Sequence, residues 1–334
     1  MTYGIRVLPH GRNKKIMRIL ITGGLGYLGG RLANHLLHHG HKVSLGTRKR
    51  LKSINEPLSG TTPVQMNWMD TNSLEMATKG IDTVVHSAGM AAHACSENPR
   101  GAFEVNGLYT EMLLEAAINS QVRRFIYLST VHVYRSPLTG ILDETARTSN
   151  NHPYATSKLA GEKKVLYAQE IGNIQGLVLR ISNGCGHPVF PDTECWHLII
   201  NDLCRQAVEK KSLILHSDNS IQRNFIPMSN ICKSIEHFLK LSQSSLSKSP
   251  YNLCSKKSHS LKQVALLVST RSKEILGYEV EIFFKSNEGE SKNNRELQLS
   301  TKKIEETGLN LQENLLQEID NTLLFCKSHF SSAV

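Results

Sequence analysis

The chain has 334 residues, 40% of them hydrophobic and 20% charged, and its 39 Lys and Arg outnumber 29 Asp and Glu for a formal net charge of +10. This composition can bury a full core, as one large α/β domain or a domain plus a smaller lobe, and excludes a disordered or fibrous chain. The seven cysteines form no C-x-x-C pair, no apolar run approaches the roughly 18 residues of a membrane helix, and no basic run is interleaved with aromatics. The composition therefore points to a soluble, cytoplasmic protein with free thiols, no membrane span and no nucleic-acid partner.

Residues 1–16, with Arg6, Arg12, Lys14 and Lys15, match no element and read as an extension or an upstream start. The first strand opens at Met17 and runs through Ile19–Thr22 into Gly23, Gly26 and Gly29. Gly23 supplies a tight turn, Gly26 lets backbone N–H groups approach a pyrophosphate, and Gly29 lets the helix pack on the strand, so the ligand implied is a dinucleotide. Leu32, Leu36 and Leu37 give that helix an apolar face, Gly40 ends it, and Lys42–Leu45 begins a second strand. A third strand is predicted over Val64–Met69, a helix around Leu74–Lys79, a fourth strand over Asp82–His86 and a helix over residues 101–119. Arg124–Ser129 reads as a fifth strand, Tyr154–Gln169 as a helix and Gly176–Arg180 as a sixth strand. This alternation predicts an α/β fold with a Rossmann-like, doubly wound parallel sheet.

Beyond Ser182 the rhythm breaks. Residues 184–194 read as a loop, 196–210 as a helix, 213–215 as a strand, and 229–241, 261–270 and 312–326 as helices, with polar loops at 243–250 and 286–295. The domain assignment is an extension over 1–16, a dinucleotide-binding domain over 17–182, and a smaller substrate-binding lobe over 183–334 with some segments returning to the sheet.

Tyr154 and Lys158 lie four apart at a helix start, which puts both on one helix face. A phenol titrates near ~10, and a neighbouring ammonium is expected to lower that value, so Tyr154 could exchange a proton with a substrate hydroxyl or carbonyl. With the glycine turn upstream and Leu128–Tyr134 ending a strand between them, the chain resembles the extended short-chain dehydrogenase/reductase family, in its nucleotide-sugar epimerase/dehydratase branch.

The resemblance covers about Arg18 to Phe325 and rests on motifs in family order. It implies Thr22–Gly29, with Tyr27 and Leu28, for the pyrophosphate, Asp70 for the adenine, Ala88 and Gly89 at the fourth strand end, and Asn106 as a further cofactor residue. It implies that Tyr154 is the acid/base, that Thr130 hydrogen-bonds the same substrate oxygen, and that Lys158 holds the nicotinamide ribose. On the substrate side it implies Asn183, and Arg223 as a clamp on the diphosphate, while Cys185 stands where the family has tyrosine. No metal is implied. A homodimer through the helices at 101–119 and 154–169 is.

The second strand end lacks the acidic residue that accepts a ribose 2′-hydroxyl. Thr47 stands there with Arg48 next, in the basic cluster Arg48, Lys49, Arg50 and Lys52, which predicts NADP(H) in preference to NAD(H). Val131-His132 replaces the Asp-Glu that the family's 4,6-dehydratases carry after the catalytic threonine. Reduction of a nucleotide-4-keto-6-deoxysugar is the leading reading, an NAD-dependent 4-epimerase the alternative, and a non-catalytic dinucleotide sensor or RNA-binding scaffold a more distant one. Arg223 and Asn183 suit a diphosphate better than a steroid or flavonoid.

Overall fold

A computed structural model of the protein describes residues 15–285 and 296–331. In chain order its first half runs β1 (Arg18–Thr22), α1 (Tyr27–His38), β2 (Lys42–Thr47), β3 (Thr62–Gln65), α2 (Thr71–Thr78), β4 (Thr83–His86), α3 (Ala92–Glu97), α4 (Pro99–Phe103), α5 (Tyr109–Asn119), β5 (Arg124–Thr130), β6 (Gly140–Leu142), α6 (Pro153–Glu170) and β7 (Gln175–Ile181). The second half runs β8 (Asn183–Cys185), α7 (Ile199–Glu209), β9 (Ser212–Leu215), β10 (Gln222–Pro227), α8 (Met228–Lys240), β11 (Tyr251–Leu253), β12 (Ser258–Ser260), α9 (Leu261–Leu276), β13 (Glu281–Phe284), β14 (Leu297–Leu299), α10 (Lys302–Glu305) and α11 (Leu315–Phe330).

Seven strands form one parallel sheet in the order β11-β7-β5-β4-β1-β2-β3. The order reverses between β1 and β4, which opens a crevice at the carboxyl ends of those strands. Both faces are covered, so the strands read as nearly continuous apolar runs: β1 and β5 are buried along almost their whole length. On one face Leu32 and Leu36 of α1 join Ile231, Ile235 and Phe238 of α8. On the other, Leu74 of α2, Leu113 and Ala117 of α5 and Val165 of α6 pack beneath Phe125 and Tyr127. A separate core forms from α7, α9, α11 and the β9–β13 pair, around Leu203, Val264 and Leu323.

The expected elements are present with shifted limits. The third strand stops at Gln65 rather than Met69, because the Asp70 carboxylate accepts the N–H of Asn72 at 3.0 Å and starts α2 at Thr71. The helix expected over 101–119 is broken by a π-helical turn at Glu104–Leu108 that carries Asn106 inward. The loop expected over 184–194 begins as strand, since β8 pairs with β10, which itself pairs antiparallel with β12. The short strands β6 and β14 pair with each other. The predicted loop at 286–295 and most of the 1–16 extension lie outside the described residues.

Candidate active site

The glycine turn leaves β1 at Thr22. Gly23 has φ +65°, and a Cβ there would stand 2.9 Å from the Ala88 backbone, so only glycine lets the two strand ends approach. Gly26 is the residue before α1 and closes the turn by donating its N–H to the Gly23 carbonyl at 2.9 Å. No side chain caps α1 and its first turn holds no acidic residue, so its N–H groups and dipole are left for an anion. This cradle fits a dinucleotide pyrophosphate. The Tyr27 phenol donates to the Gly186 carbonyl at 2.7 Å, so its side chain ties α1 to the segment after β8.

Behind the turn, Thr22 Oγ1 and His86 Nδ1 are 2.7 Å apart, and Thr22 Oγ1 accepts the Ala88 N–H at 3.2 Å. His86 Nε2 lies 3.0 Å from Thr110 Oγ1, whose hydroxyl donates to the Asn106 carbonyl. Burial pushes the His86 pKa down to about 3, so the ring is neutral. One proton order satisfies every group: Thr22 donates to Nδ1 and Nε2–H donates to Thr110.

Asn106, expected at the cofactor, is 1% exposed and spends its amide on the protein. Its Oδ1 accepts the Met90 N–H at 2.8 Å and its Nδ2 donates to Ser157 Oγ at 3.0 Å. It therefore ties the segment after β4 to α6 at Ser157, the residue before Lys158. Asp70, expected at the adenine, has one carboxylate oxygen engaged in capping α2.

Tyr154 and Lys158 do share one face of α6, and the Tyr154 phenol lies near enough to the Thr130 hydroxyl for it to favour the phenolate. The expected electrostatics do not hold. Burial raises the Tyr154 pKa to about 12, with only partial compensation from Thr130. Lys158 is 5% exposed, and its Nζ sits 4.4 Å from the centre of the Tyr127 ring rather than lowering Tyr154. Burial lowers the lysine to about 8, offset by Glu162 one turn further along α6. Glu162, which the sequence reading missed, accepts from Ser129 and from the Arg180 guanidinium, with Nη2–Oε2 at 2.8 Å. Arg180 also lies over the Tyr134 ring.

The substrate-side residues converge on the same mouth. Asn183 Nδ2 donates to the Asn224 carbonyl at 2.8 Å, and its side chain lies near enough to the His132 ring, two residues after Thr130, to influence its pKa. Arg223, on β10, lies close enough to His132 to lower its pKa, and no carboxylate of the described residues pairs with the guanidinium. At the end of β2, Thr47 Oγ1 accepts the Lys49 N–H at 3.1 Å, and Arg48 to Arg50 are exposed. A cleft of about 650 Å³ between Pro191–His197, Arg205 and Phe330 lies elsewhere, and none of Thr130, Tyr154 and Lys158 lines it.

The family model for the NAD dependent epimerase/dehydratase family matches residues 19–254. The chain belongs to that family. It is thus an enzyme of nucleotide-sugar epimerase/dehydratase type with nicotinamide-dependent oxidoreductase character. It is 26% identical over 233 residues to a dTDP-glucose 4,6-dehydratase of Streptomyces niveus, covering 66% of this chain and 68% of that one. It is 31% identical over 173 residues to a UDP-glucose 4-epimerase of Halalkalibacterium halodurans, covering 51% of this chain and 52% of the other.

The fold of this epimerase/dehydratase family member matches the Thermus thermophilus UDP-glucose 4-epimerase solved with NAD, with a TM-score of 0.76, 21% identity and 94% and 100% of the two chains covered. It also matches RMD of Pseudomonas aeruginosa solved with NADPH, with a TM-score of 0.73, 21% identity and 93% and 99% covered. Among the described residues no helix is long and apolar enough to cross a membrane.

Proposed function

We propose that the enzyme uses NADPH to reduce the ketone of a nucleotide-4-keto-6-deoxysugar. The carrying observation is the end of β2, where Thr47 and the exposed Arg48 stand in place of a carboxylate and offer a guanidinium to a 2′-phosphate. The N–H groups at the start of α1 hold the pyrophosphate, Asp70 faces the adenine with its remaining carboxylate oxygen, and Lys158 holds the nicotinamide ribose. When bound, the reduced nicotinamide supplies a hydride to the ketone carbon. Tyr154 delivers the proton to the ketone oxygen, and a phenol held near 12 is fully protonated for that role at neutral pH. Thr130 fixes the same oxygen, while Arg223, with no carboxylate partner among the described residues, clamps the substrate diphosphate beside Asn183.

In this reading residues 17–182 supply cofactor and proton chemistry, and 183–334 supply most substrate contacts. Exposed Phe103, Leu108 and Tyr167, beside the Lys164–Glu111 pair that joins α6 to α5, support a homodimer through these helices. A monomer in light scattering overturns that part.

The test is absorbance and mass analysis of the purified protein for bound cofactor, followed by NADPH and NADH titrations. Tighter NADPH binding by an initially empty protein supports the reductase, and equal affinities remove it. Stoichiometric NAD that copurifies selects the second reading, a 4-epimerase, which the 31% identity to an epimerase favours. Failure to bind either dinucleotide selects the scaffold.

A further inference from the structure

At the far end of α1 from the glycine turn, about 18 Å away at the rise of a helix, three ligand-type side chains meet between α1 and α8. His35 Nε2 lies 2.8 Å, and His39 Nε2 3.5 Å, from the same oxygen, Oε2 of Glu236. One donor atom from each of the three residues lies within 4.8 Å of the other two. His35 and His39 are four apart, so both rings project from one side of α1, with centroids 4.2 Å apart.

The hydrogen bonds around the cluster orient these atoms. His39 Nδ1 is 2.8 Å from the His35 carbonyl, which can only accept, so Nδ1 carries a proton and Nε2 is the ring atom turned toward Glu236. A lone pair and a carboxylate oxygen facing each other are favourable only with a proton or a metal cation between them. Lys240 Nζ engages the other carboxylate oxygen, Oε1, at 2.6 Å and leaves Oε2 for the histidines. The Glu236 side chain is 8% exposed, so the carboxylate is held by its packing. Lys233 and Lys240 are the cations facing the cluster, and His38 turns away, with its Nδ1 2.8 Å from the Asn34 carbonyl. The carbonyls that end α1 add a negative pole.

We propose that His35, His39 and Glu236 form a zinc site that pins the C-terminal end of α1 to α8. Two imidazoles and one carboxylate, with water as a fourth ligand, are a borderline-soft set suited to zinc rather than to calcium or magnesium. The metal takes the place of the proton that His35 shares with Glu236. The site is remote from Tyr154 and Lys158 and does not depend on the reaction assigned above.

Untagged, full-length, chelator-treated protein is titrated with Zn²⁺ by calorimetry, with Co²⁺ as a coloured reporter and thermal unfolding as a second readout. One zinc per chain, a raised Tm and the visible bands of four-coordinate cobalt are expected. His35→Gln and His39→Gln each weaken binding at least about tenfold and cancel the rise in Tm, whereas His38→Gln preserves both. His39 is partly exposed, so its variant decides the matter if the His35 variant folds poorly. No saturable one-to-one binding, or binding unchanged in the His39→Gln protein, overturns the site.

Discussion

The floor and the rim of the active site are built differently. On the floor, Thr130, Lys158, Glu162 and Asn106 are all buried and every one has partners: the His132 N–H for Thr130, Ser129 and Arg180 for Glu162, the Tyr127 ring for Lys158, Met90 and Ser157 for Asn106. On the rim, Arg48 is exposed and Arg223 is half-buried with no carboxylate partner among the described residues. In the function proposed above, the floor holds a proton donor at a fixed place whatever is bound, and the low dielectric there makes each satisfied bond expensive to break. In that same proposed function, the rim keeps its charges free for phosphates that arrive with the ligands. Substitutions in the floor should therefore lower kcat or stability, and substitutions in the rim should lower affinity.

The largest effect is expected from Tyr154→Phe, which removes the proton donor: kcat should fall by about 10²-fold or more with NADPH affinity retained, measured by steady-state kinetics and titration. Unchanged kcat would erase the contrast. Glu162→Ala should come next, because it strands the Arg180 guanidinium in the core. The expected loss is about 3–5 kcal/mol in urea unfolding, with a smaller loss for Glu162→Gln. Arg223→Ala should raise KM for a nucleotide-sugar about 10-fold or more with little change in kcat, and Arg223→Lys should recover only part of it.

Arg48→Ala should weaken NADPH by about tenfold and leave NADH unchanged, read from paired titrations. The smallest effect concerns pH. Lys158, lowered to about 8, is an ammonium below that pH and loses its charge above it, so dinucleotide affinity should be level through neutral pH and decline as pH rises through about 8. The same decline in a Lys158→Arg protein would assign it to another group.

The glycine turn and the shared face of Tyr154 and Lys158 were legible because their spacing is local: three glycines within seven residues, and a tyrosine and a lysine one helical turn apart. What supports them was not. Glu162 meets Ser129 and Arg180, 33 and 18 positions away, and His86 bridges Thr22 and Thr110, 64 and 24 positions away. Such pairings exist only once the sheet is assembled. The Tyr154 pKa went the other way for the same reason: the spacing announces a lysine one turn away, but in the assembled fold that ammonium lies over the Tyr127 ring, and burial raises the phenol. The short strands β8, β12 and β14 carry three residues each, too few to show a period, and owe their shape to their partners.

One strand ties the two halves of the chain into a single object. β11, drawn from beyond α8, completes the edge of the large sheet by pairing Tyr251, Asn252 and Leu253 with Leu179, Arg180 and Ile181 of β7, and the Tyr134 hydroxyl donates to Asn252 at 2.6 Å. A fragment ending at the close of the glycine-turn half would leave β7 as a bare, apolar margin whose backbone groups would recruit neighbouring chains. Expressed alone, that half should precipitate. Its catalytic groups are intact in sequence, yet the hydrogen-bonding row beside them is finished by residues made some seventy positions later.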